Sequence, residues 1–279
     1  MNSTNERTDS TGRMPTVYLP HGGGPCFFMD PPPQAPHTWD GMAAYLRGLA
    51  TSIGARPRAL LVVSAHWEMP RPTVNSGAAP DMLFDYYGFP AHTYQLSWPA
   101  PGSPELAARV RDLLGFAGIG ADEDATRGYD HGVFVPLLLS WPDADIPTVQ
   151  LSLQAGLDPT AHLAIGKALE PLRDEGVLII GSGMSYHNLR EFFTADPRVI
   201  AGAEQFDTAL TAALLDPVPA ARDACLVRWK DMPAALAVHP RAEHLLPLMV
   251  VAGAGGDDRG RRTWTGPIFG KPVSAFQFG

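Results

Sequence analysis

The sequence is poor in cysteine, in basic residues and in long apolar runs, and each shortage excludes a class of protein. Its two cysteines, Cys26 and Cys225, lie far apart and form no C-x-x-C pair. Neither a thiolate zinc site nor a disulfide-stabilised secreted scaffold is therefore indicated. The formal net charge of −8 disfavours nucleic acid and anionic membrane surfaces as partners. No apolar run approaches the roughly 20 residues that span a bilayer.

The amino-terminal residues, MNSTNERTDSTGRM, are polar and carry charges of both signs. Because they lack the apolar core of a signal peptide, we expect a disordered tail over residues 1–14 and a cytoplasmic location. The apolar fraction of 45% is that of an ordinary globular protein with a large core. Glycine and proline, 28 of each, are spread along the chain. This distribution favours a single domain with many tight loops over residues 15–279.

Apolar strand-like runs alternate with helix-like segments along the chain. The predicted strands are Thr16–Pro20, Ala59–Ala65, Thr148–Leu153, Val177–Ile180 and Pro272–Phe278. The predicted helices are Asp40–Ile53, Pro104–Leu114 after a Ser103 cap, Pro159–Gly176 after an Asp158 cap, Val199–Leu215, Ala220–Trp229 and Leu245–Ala254. The alternation predicts an α/β fold, in which a single domain has a mostly parallel central sheet with helices on both faces.

Three histidines, His21, His66 and His187, each lie where one of the predicted strands stops. Because the ligand crevice of an α/β sheet lies at the carboxyl ends of its strands, we expect these side chains to converge there. Imidazole is a common metal ligand and the usual acid–base group near neutral pH. The three positions therefore predict a metal or catalytic site at that edge of the sheet.

Two further segments are rich in groups that bind metals or move protons. Asp130 and His131 precede an apolar run, and Asp130 is a candidate to orient an imidazole, with a plain turn before a helix as the alternative. The segment at residues 239–244 precedes the last predicted helix and ends in Glu243 and His244. Adjacent side chains on a helix face different directions, so we expect only one of these two to bind a metal.

The turn His-Gly-Gly-Gly-Pro at residues 21–25 lets the backbone approach a ligand closely. It matches neither G-x-G-x-x-G nor the P-loop, so phosphate binding is a minor alternative. Ser182 and Ser185 lie in Gly-Ser-Gly-Met-Ser, which is not the G-x-S-x-G pattern, and a hydrolase triad is a weak hypothesis. The aromatic segment at residues 81–99 lacks clear periodicity, which is typical of a functional loop.

Two imidazoles with one more nitrogen or oxygen ligand, and open positions beside them, describe a non-haem Fe(II) oxygenase or a catalytic zinc site. Six motifs occur in order: HGGGP (21–25), SAHW (64–67), YGFP (87–90), DHG (130–132), GSGMSYHNL (181–189) and HPRAEHLLPL (239–248). Together they resemble the class III extradiol ring-cleavage dioxygenases. The resemblance is to their DOPA-dioxygenase-like branch, which is related to the catalytic subunit of protocatechuate 4,5-dioxygenase.

The resemblance implies a role for each of five histidines. His21 and His66 correspond to the two metal-binding histidines, and His244 corresponds to the third ligand. Glu243 is the alternative third ligand, because the protocatechuate-type branch uses a glutamate. His187 is similar to the acid–base catalyst and lies near enough in the motif to contact the metal as well. His131 resembles the second pocket histidine, which contacts substrate or O₂.

The same resemblance implies an extradiol dioxygenase that opens the ring of a catechol-type substrate with O₂. Fe(II) is the expected cofactor for activity, and Zn(II) is an alternative bound metal. Gly23, Tyr87 and Phe89 are the predicted substrate-binding residues. A homo-oligomer is left open. The other functions considered are a metal-binding non-oxygenase of the same fold with an adaptor or redox role and, less favoured, a zinc hydrolase.

Overall fold

The computed structural model describes residues 12–279. The strands of this part are β1 (Thr16–Pro20), β2 (Ala59–Met69), β3 (Thr73–Asn75), β4 (Asp122–Asp124), β5 (Thr148–Gln154), β6 (Val177–Gly183), β7 (Gly260–Ile268) and β8 (Lys271–Phe278). The helices are α1 (Asp40–Ile53), α2 (Pro104–Phe116), α3 (His131–Ser140), α4 (Pro159–Leu169), α5 (Pro197–Leu214), α6 (Pro219–Val227), α7 (Ala235–Val238) and α8 (Leu246–Ala254). Short 3₁₀ helices cover Cys26–Phe28, Ala91–Gln95, Glu170–Arg173 and Trp229–Asp231.

All of these strands belong to one sheet, in the order β4-β3-β5-β2-β6-β1-β8-β7. The four central strands, β5, β2, β6 and β1, run parallel, which confirms the predicted parallel core. The sheet as a whole is mixed, because β3 pairs antiparallel with β5, β8 with β1 and β7 with β8. Strands β3, β4 and β7 were not expected from the sequence, since they are short or largely exposed and lack an apolar run.

Two neighbouring residues of β6 show that helices cover both faces of the sheet. A Cβ atom on Gly181 would lie 2.5 Å from the carbonyl oxygen of Pro247 in α8. The next residue, Ser182, donates a hydrogen bond to the carbonyl oxygen of Gly132 in α3. Because successive side chains of a strand point to opposite faces, α8 and α3 pack on opposite sides of β6. The prediction of helices on both faces is confirmed.

The predicted helix starts are confirmed at two caps, whereas one helix end was wrong. The Ser103 hydroxyl accepts a hydrogen bond from the Leu106 amide, and the Asp158 carboxylate accepts one from the Thr160 amide. Helix α4 ends at Leu169 and continues as a 3₁₀ turn, although a helix reaching Gly176 was expected. Pro171 explains this end, because proline has no N–H to donate to an α-helix.

The predicted tail over residues 1–14 lies largely outside the described residues, which begin at residue 12. Its last two residues belong to the fold. Met14 is buried and its amide donates a hydrogen bond to the carbonyl oxygen of Arg173. Arg13 forms an ion pair with Asp174 at 2.8 Å. None of the helices within residues 12–279 combines the length and apolar character that crossing a membrane requires.

Candidate active site

Five histidines converge at the carboxyl edge of the central strands. His21 directly follows β1, His131 opens α3, His187 lies beyond β6 and His244 precedes α8, whereas His66 lies within β2. The Nε2 atoms of His21 and His66 are 3.2 Å apart. The ring centroids of His66 and His131 are 3.8 Å apart, and those of His187 and His244 are 3.3 Å apart. The structure therefore brings together all five histidines that the sequence singled out.

His66 reaches the site from a bulge and not, as expected, from the end of a strand. Strand β2 continues to Met69, and its register with β5 shifts between Val63 and Glu68. At this irregularity the His66 amide donates a hydrogen bond to the Ser64 hydroxyl at 3.2 Å. Bulges of this kind re-aim a side chain next to an active site. The bulge turns His66 toward the other imidazoles without ending the strand.

Three of the imidazoles form a nearly equilateral triangle. The ring centroids of His21 and His66 are 4.8 Å apart, those of His66 and His244 are 4.9 Å apart, and those of His21 and His244 are 5.2 Å apart. His131 is less evenly placed, at 3.8 Å from His66 and 5.4 Å from His21. By the distances between possible ligand atoms, however, His21, His66 and His131 form one compact group, whereas His244 groups with His187 and a carboxylate oxygen of Glu243.

Two carboxylates each hold a pair of these histidines by their Nδ1 atoms. One oxygen of Asp85 lies 2.8 Å from Nδ1 of His131, and the other lies 3.6 Å from Nδ1 of His66. The Oε1 atom of Glu243 lies 3.0 Å from Nδ1 of His244 and 3.3 Å from Nδ1 of His187. Where Nδ1 is hydrogen-bonded in this way, as in His131, His187 and His244, the ring has Nε2 left to bind a metal or move a proton.

Asp85 contacts two of these histidines and was not predicted from the sequence, whereas Asp130, one candidate for orienting an imidazole, has other partners. Asp130 is fully buried and accepts hydrogen bonds from the Ser64 hydroxyl at 2.7 Å, the Arg127 guanidinium at 3.1 Å and the Gln150 amide. It therefore fixes Ser64 at the bulge and does not orient an imidazole directly. Asp85 lies in the aromatic loop, where its proximity to the histidines has no signal in local spacing.

Burial determines the charge state of the three histidines in the triangle. Desolvation, followed by the neighbouring imidazoles, lowers the pKa of His21 and of His66 well below the usual value. Desolvation also lowers the pKa of His244 to about 3, despite its hydrogen bond with Glu243. All three are therefore neutral at pH 7. Neutral imidazoles carry the lone pair that metal binding requires, so this donor set fits a divalent transition metal.

Glu243 differs from these neutral histidines because its carboxylate is ionised. Burial would raise its pKa, but the hydrogen bonds from His187 and His244 outweigh that effect and lower it. The pKa of Asp85 is lowered in the same way, because the hydrogen bond and charge of His131 outweigh desolvation. Both carboxylates are therefore ionised at pH 7, and their charges favour a cation among the imidazoles.

The histidines open into a cavity of about 500 Å³. The turn at residues 21–25 forms one rim, where Gly22 and Gly24 have positive φ angles of 84° and 55°. A Cβ on Gly24 would lie 2.9 Å from the Phe89 ring, so only glycine permits this close approach. Of the predicted substrate residues, Gly23 and Phe89 line the cavity.

Tyr87, the remaining predicted substrate residue, does not line the cavity. Its side chain is 91% exposed. The neighbouring Tyr86 lines the cavity instead, with its ring 5.8 Å from that of His131 and its hydroxyl donating to the Thr93 carbonyl oxygen. Consecutive residues of this extended segment point in different directions, so only one of the two tyrosines can face inward.

The serine alternative has no support from the geometry. The Ser182 hydroxyl donates to the Gly132 carbonyl oxygen, and the Ser185 hydroxyl accepts a hydrogen bond from the Ser274 amide. Both hydroxyls are buried and connect elements of the fold. Neither has an imidazole as its hydrogen-bond partner within residues 12–279, which a serine nucleophile requires.

Comparison with known proteins identifies a family and several relatives. The model of the family described as the catalytic LigB subunit of aromatic ring-opening dioxygenase matches residues 15–270. The chain is 37% identical to the dioxygenase tasH of Hapsidospora irregularis, over 96% of this chain and 86% of that protein.

Two further relatives are both named 4,5-DOPA dioxygenase extradiol. The chain is 45% identical to the 4,5-DOPA dioxygenase extradiol of Beta vulgaris, over 73% of this chain and 75% of that protein. It is 35% identical to the 4,5-DOPA dioxygenase extradiol of Escherichia coli (strain K12), over 88% of this chain and 86% of that protein. The crystal structure of the uncharacterized protein JW3007 from Escherichia coli K12 matches with a TM-score of 0.75 and 31% identity, covering 96% of this chain and 100% of that one.

Proposed function

We propose, on the premise that this chain belongs to the family of catalytic LigB subunits of aromatic ring-opening dioxygenases, that it opens catechol-type rings in the five-histidine cavity. The protein is an extradiol dioxygenase, as its family and its relatives indicate. The observation that supports this cavity as its active site is the set of five imidazoles, four of which are held in pairs by Asp85 and Glu243.

The metal ligands in this proposal are His21, His66 and His244. Their nearly equilateral arrangement supports this choice over a set that includes His131, which lies unevenly between His66 and His21. Glu243 contacts Nδ1 of His244 and acts as its hydrogen-bond partner, which disfavours Glu243 as the third ligand. A bound Fe(II) ion would supply the electron transfer between catechol and O₂, which Zn(II) cannot supply because it has no redox chemistry.

The two remaining histidines handle protons and substrate. His187 accepts a proton from a catechol hydroxyl and returns it as the ring opens, and Glu243 holds its Nδ1 so that Nε2 faces the cavity. His131 contacts the bound substrate or O₂ through Nε2, and Asp85 holds its Nδ1 in the same manner. The overall reaction breaks the ring carbon–carbon bond next to the diol, and both oxygen atoms of O₂ enter the product.

The substrate class is the catechols, and DOPA belongs in the series to be tested because two relatives carry its name. The deciding experiment loads the protein with Fe(II) under anaerobic conditions and then supplies air and a series of catechols. Oxygen uptake should equal the appearance of a coloured ring-opened product. Absence of uptake with protocatechuate, gallate, DOPA and simple catechols would overturn the proposal.

The alternative functions are not favoured. The curated relatives are named dioxygenases, not adaptor proteins or hydrolases. The same experiment separates them: an adaptor would bind metal without consuming O₂, and a zinc hydrolase would be indifferent to O₂. The homo-oligomer and the cytoplasmic location remain predictions.

A further inference from the structure

One part of the cavity lining is apolar and aromatic, in contrast to the polar histidines. Four residues, here called the aromatic wall, all line it, and each ring packs on at least two of the others: Trp39, Phe192, Phe193 and Phe269. The Phe193 and Phe269 ring centroids are 4.8 Å apart, and those of Trp39 and Phe269 are 5.8 Å apart. These residues come from three distant parts of the chain, so the fold assembles the wall and no single motif encodes it.

The outer part of this wall is exposed. Phe193 is 75% exposed, and the neighbouring Leu189, which also lines the cavity, is 68% exposed. An exposed apolar patch on the rim of a cavity is typical of a surface that a ligand covers. A cavity of about 500 Å³ also lies within the range of about 300–1,000 Å³ that holds ligands much larger than one aromatic ring.

Asp30 gives the same cavity a negative charge. It is exposed and lines the cavity beside the wall. Within residues 12–279, the cavity lining has no lysine or arginine that would pair with a substrate carboxylate. A carboxylate on the substrate would therefore meet a like charge without a compensating cation, which is unfavourable in a largely apolar site.

We infer that the preferred substrates are catechols with a bulky, uncharged apolar substituent that lies against the aromatic wall, and that carboxylate-bearing catechols are disfavoured. The inference rests on the proposed function, since it assumes that the diol lies among the histidines. The substituent then extends from the ring toward Phe193 and Leu189 and covers their exposed surface. Asp30 and Phe193 are specificity-determining residues and take no part in the chemistry.

Binding to the metal-free protein tests the wall independently of ring opening. The probes are 4-pentylphenol and 4-methylphenol, titrated by calorimetry. We expect 4-pentylphenol to bind about tenfold more tightly or better, because its four additional methylene groups are buried. Phe193→Ala should remove most of this difference. Phe116→Ala is the matched control, because Phe116 is 85% exposed on α2 and does not line the cavity.

Turnover by the Fe(II)-loaded protein tests the substrate class. We expect kcat/KM to be about tenfold higher for 4-pentylcatechol than for 3,4-dihydroxyphenylpropanoate, with 4-methylcatechol between them. Asp30→Asn should raise kcat/KM severalfold for the propanoate alone, whereas Asp143→Asn, an exposed change in the loop before β5, should not.

The outcomes separate the two proposals. If no catechol is turned over by the wild-type protein, the proposed function fails. If all three catechols react with equal kcat/KM, or if Phe193→Ala and Phe116→Ala have equal effects on binding, the inference fails while the proposed function stands.

Discussion

Asp85 holds His131 at two points: its Oδ1 atom lies 2.8 Å from Nδ1 of the ring and 3.0 Å from the backbone nitrogen of the same residue. The other carboxylate oxygen lies 3.6 Å from Nδ1 of His66. One carboxylate therefore connects a proposed metal ligand with a proposed substrate contact. Glu243 repeats the arrangement with His244 and His187. Each of the two carboxylates therefore lies against a pair of imidazoles.

Replacing Asp85 by asparagine should weaken metal binding without unfolding the protein. The asparagine side chain has the same size as the aspartate but lacks the charge that makes His66 a better ligand. Removal of such a carboxylate partner costs about 10- to 100-fold in metal affinity or activity. The measurement is a titration of Fe(II) or Zn(II) against a competing chelator, with thermal unfolding recorded in parallel.

Asp81→Asn is the control for this change, because Asp81 is exposed at the start of the same loop. Its metal affinity should match that of the wild type. Equal affinities for wild type, Asp85→Asn and Asp81→Asn would mean that Asp85 does not act on the metal through His66.

Substitutions at Glu243 and His244 distinguish the third metal ligand from its hydrogen-bond partner. His244→Gln should abolish stoichiometric metal binding, because it removes an imidazole from the triangle. Glu243→Gln should retain stoichiometric binding at about 10- to 100-fold lower affinity. Metal content after gel filtration and the chelator titration measure both effects. The reverse ranking of the two variants would identify Glu243 as the ligand.

His187→Phe should separate metal binding from turnover. Phenylalanine preserves a planar ring that can stack on His244, at a position where the two centroids are 3.3 Å apart. Metal content should stay near one ion per chain, while kcat should fall by about 10²- to 10⁴-fold because the proton acceptor is lost. His37→Phe serves as the control, since the His37 side chain is 85% exposed and lies outside the cavity. A normal kcat in His187→Phe would exclude its role in proton transfer.

The parts of this molecule that the sequence predicts are those with local signals. The parallel strands β1 and β6 are apolar runs, and the Ser103 and Asp158 caps precede prolines, so short windows suffice to find them. The strand-end position of His21 is equally local. Edge strand β7 was not predicted from the sequence, because its exposed residues form no apolar run.

The missed features of the site are contacts between distant residues. Asp85 meets His131 across 46 positions of chain, in a loop without periodicity. The bulge at His66 depends on Ser64, which Asp130 holds from 66 residues away. The spacing of residues within a motif does not predict either contact. Tyr86 lines the cavity and Tyr87 does not, and a loop has no regular period from which to derive which side faces inward.

His162 should make folding sensitive to acid independently of the metal site. It is buried, its Nδ1 lies 2.7 Å from the Asp158 carbonyl oxygen, and its Nε2 accepts a hydrogen bond from the Gln154 amide. Burial lowers its pKa below the value in the unfolded chain. The unfolded state therefore binds more protons once the pH falls below about 6.5. The stabilising contribution is complete above that pH and is lost as the pH decreases.

The measurement is the free energy of unfolding of metal-free protein at pH 7.5 and pH 5.5. His162→Gln should be less stable than wild type at pH 7.5, and its stability should decrease less on acidification, by at most about 1.4 kcal/mol per pH unit. His37→Gln should keep the pH dependence of wild type. A His162→Gln variant with an unchanged pH dependence would contradict the assignment.

Gly183→Ala should disturb the metal site through the backbone. A Cβ at Gly183 would lie 2.1 Å from the carbonyl oxygen of His244, so the segment that carries this ligand must move away from β6. We expect a loss of about 1–3 kcal/mol in unfolding free energy together with weaker metal binding. Gly48→Ala is the control: Gly48 lies on the exposed side of α1 with no neighbouring atom within 4 Å of a new Cβ. That change should stabilise the protein by about 0.5–1 kcal/mol and leave metal affinity unchanged. If Gly183→Ala lowers stability but binds metal as tightly as wild type, the position of the His244 backbone does not determine metal affinity.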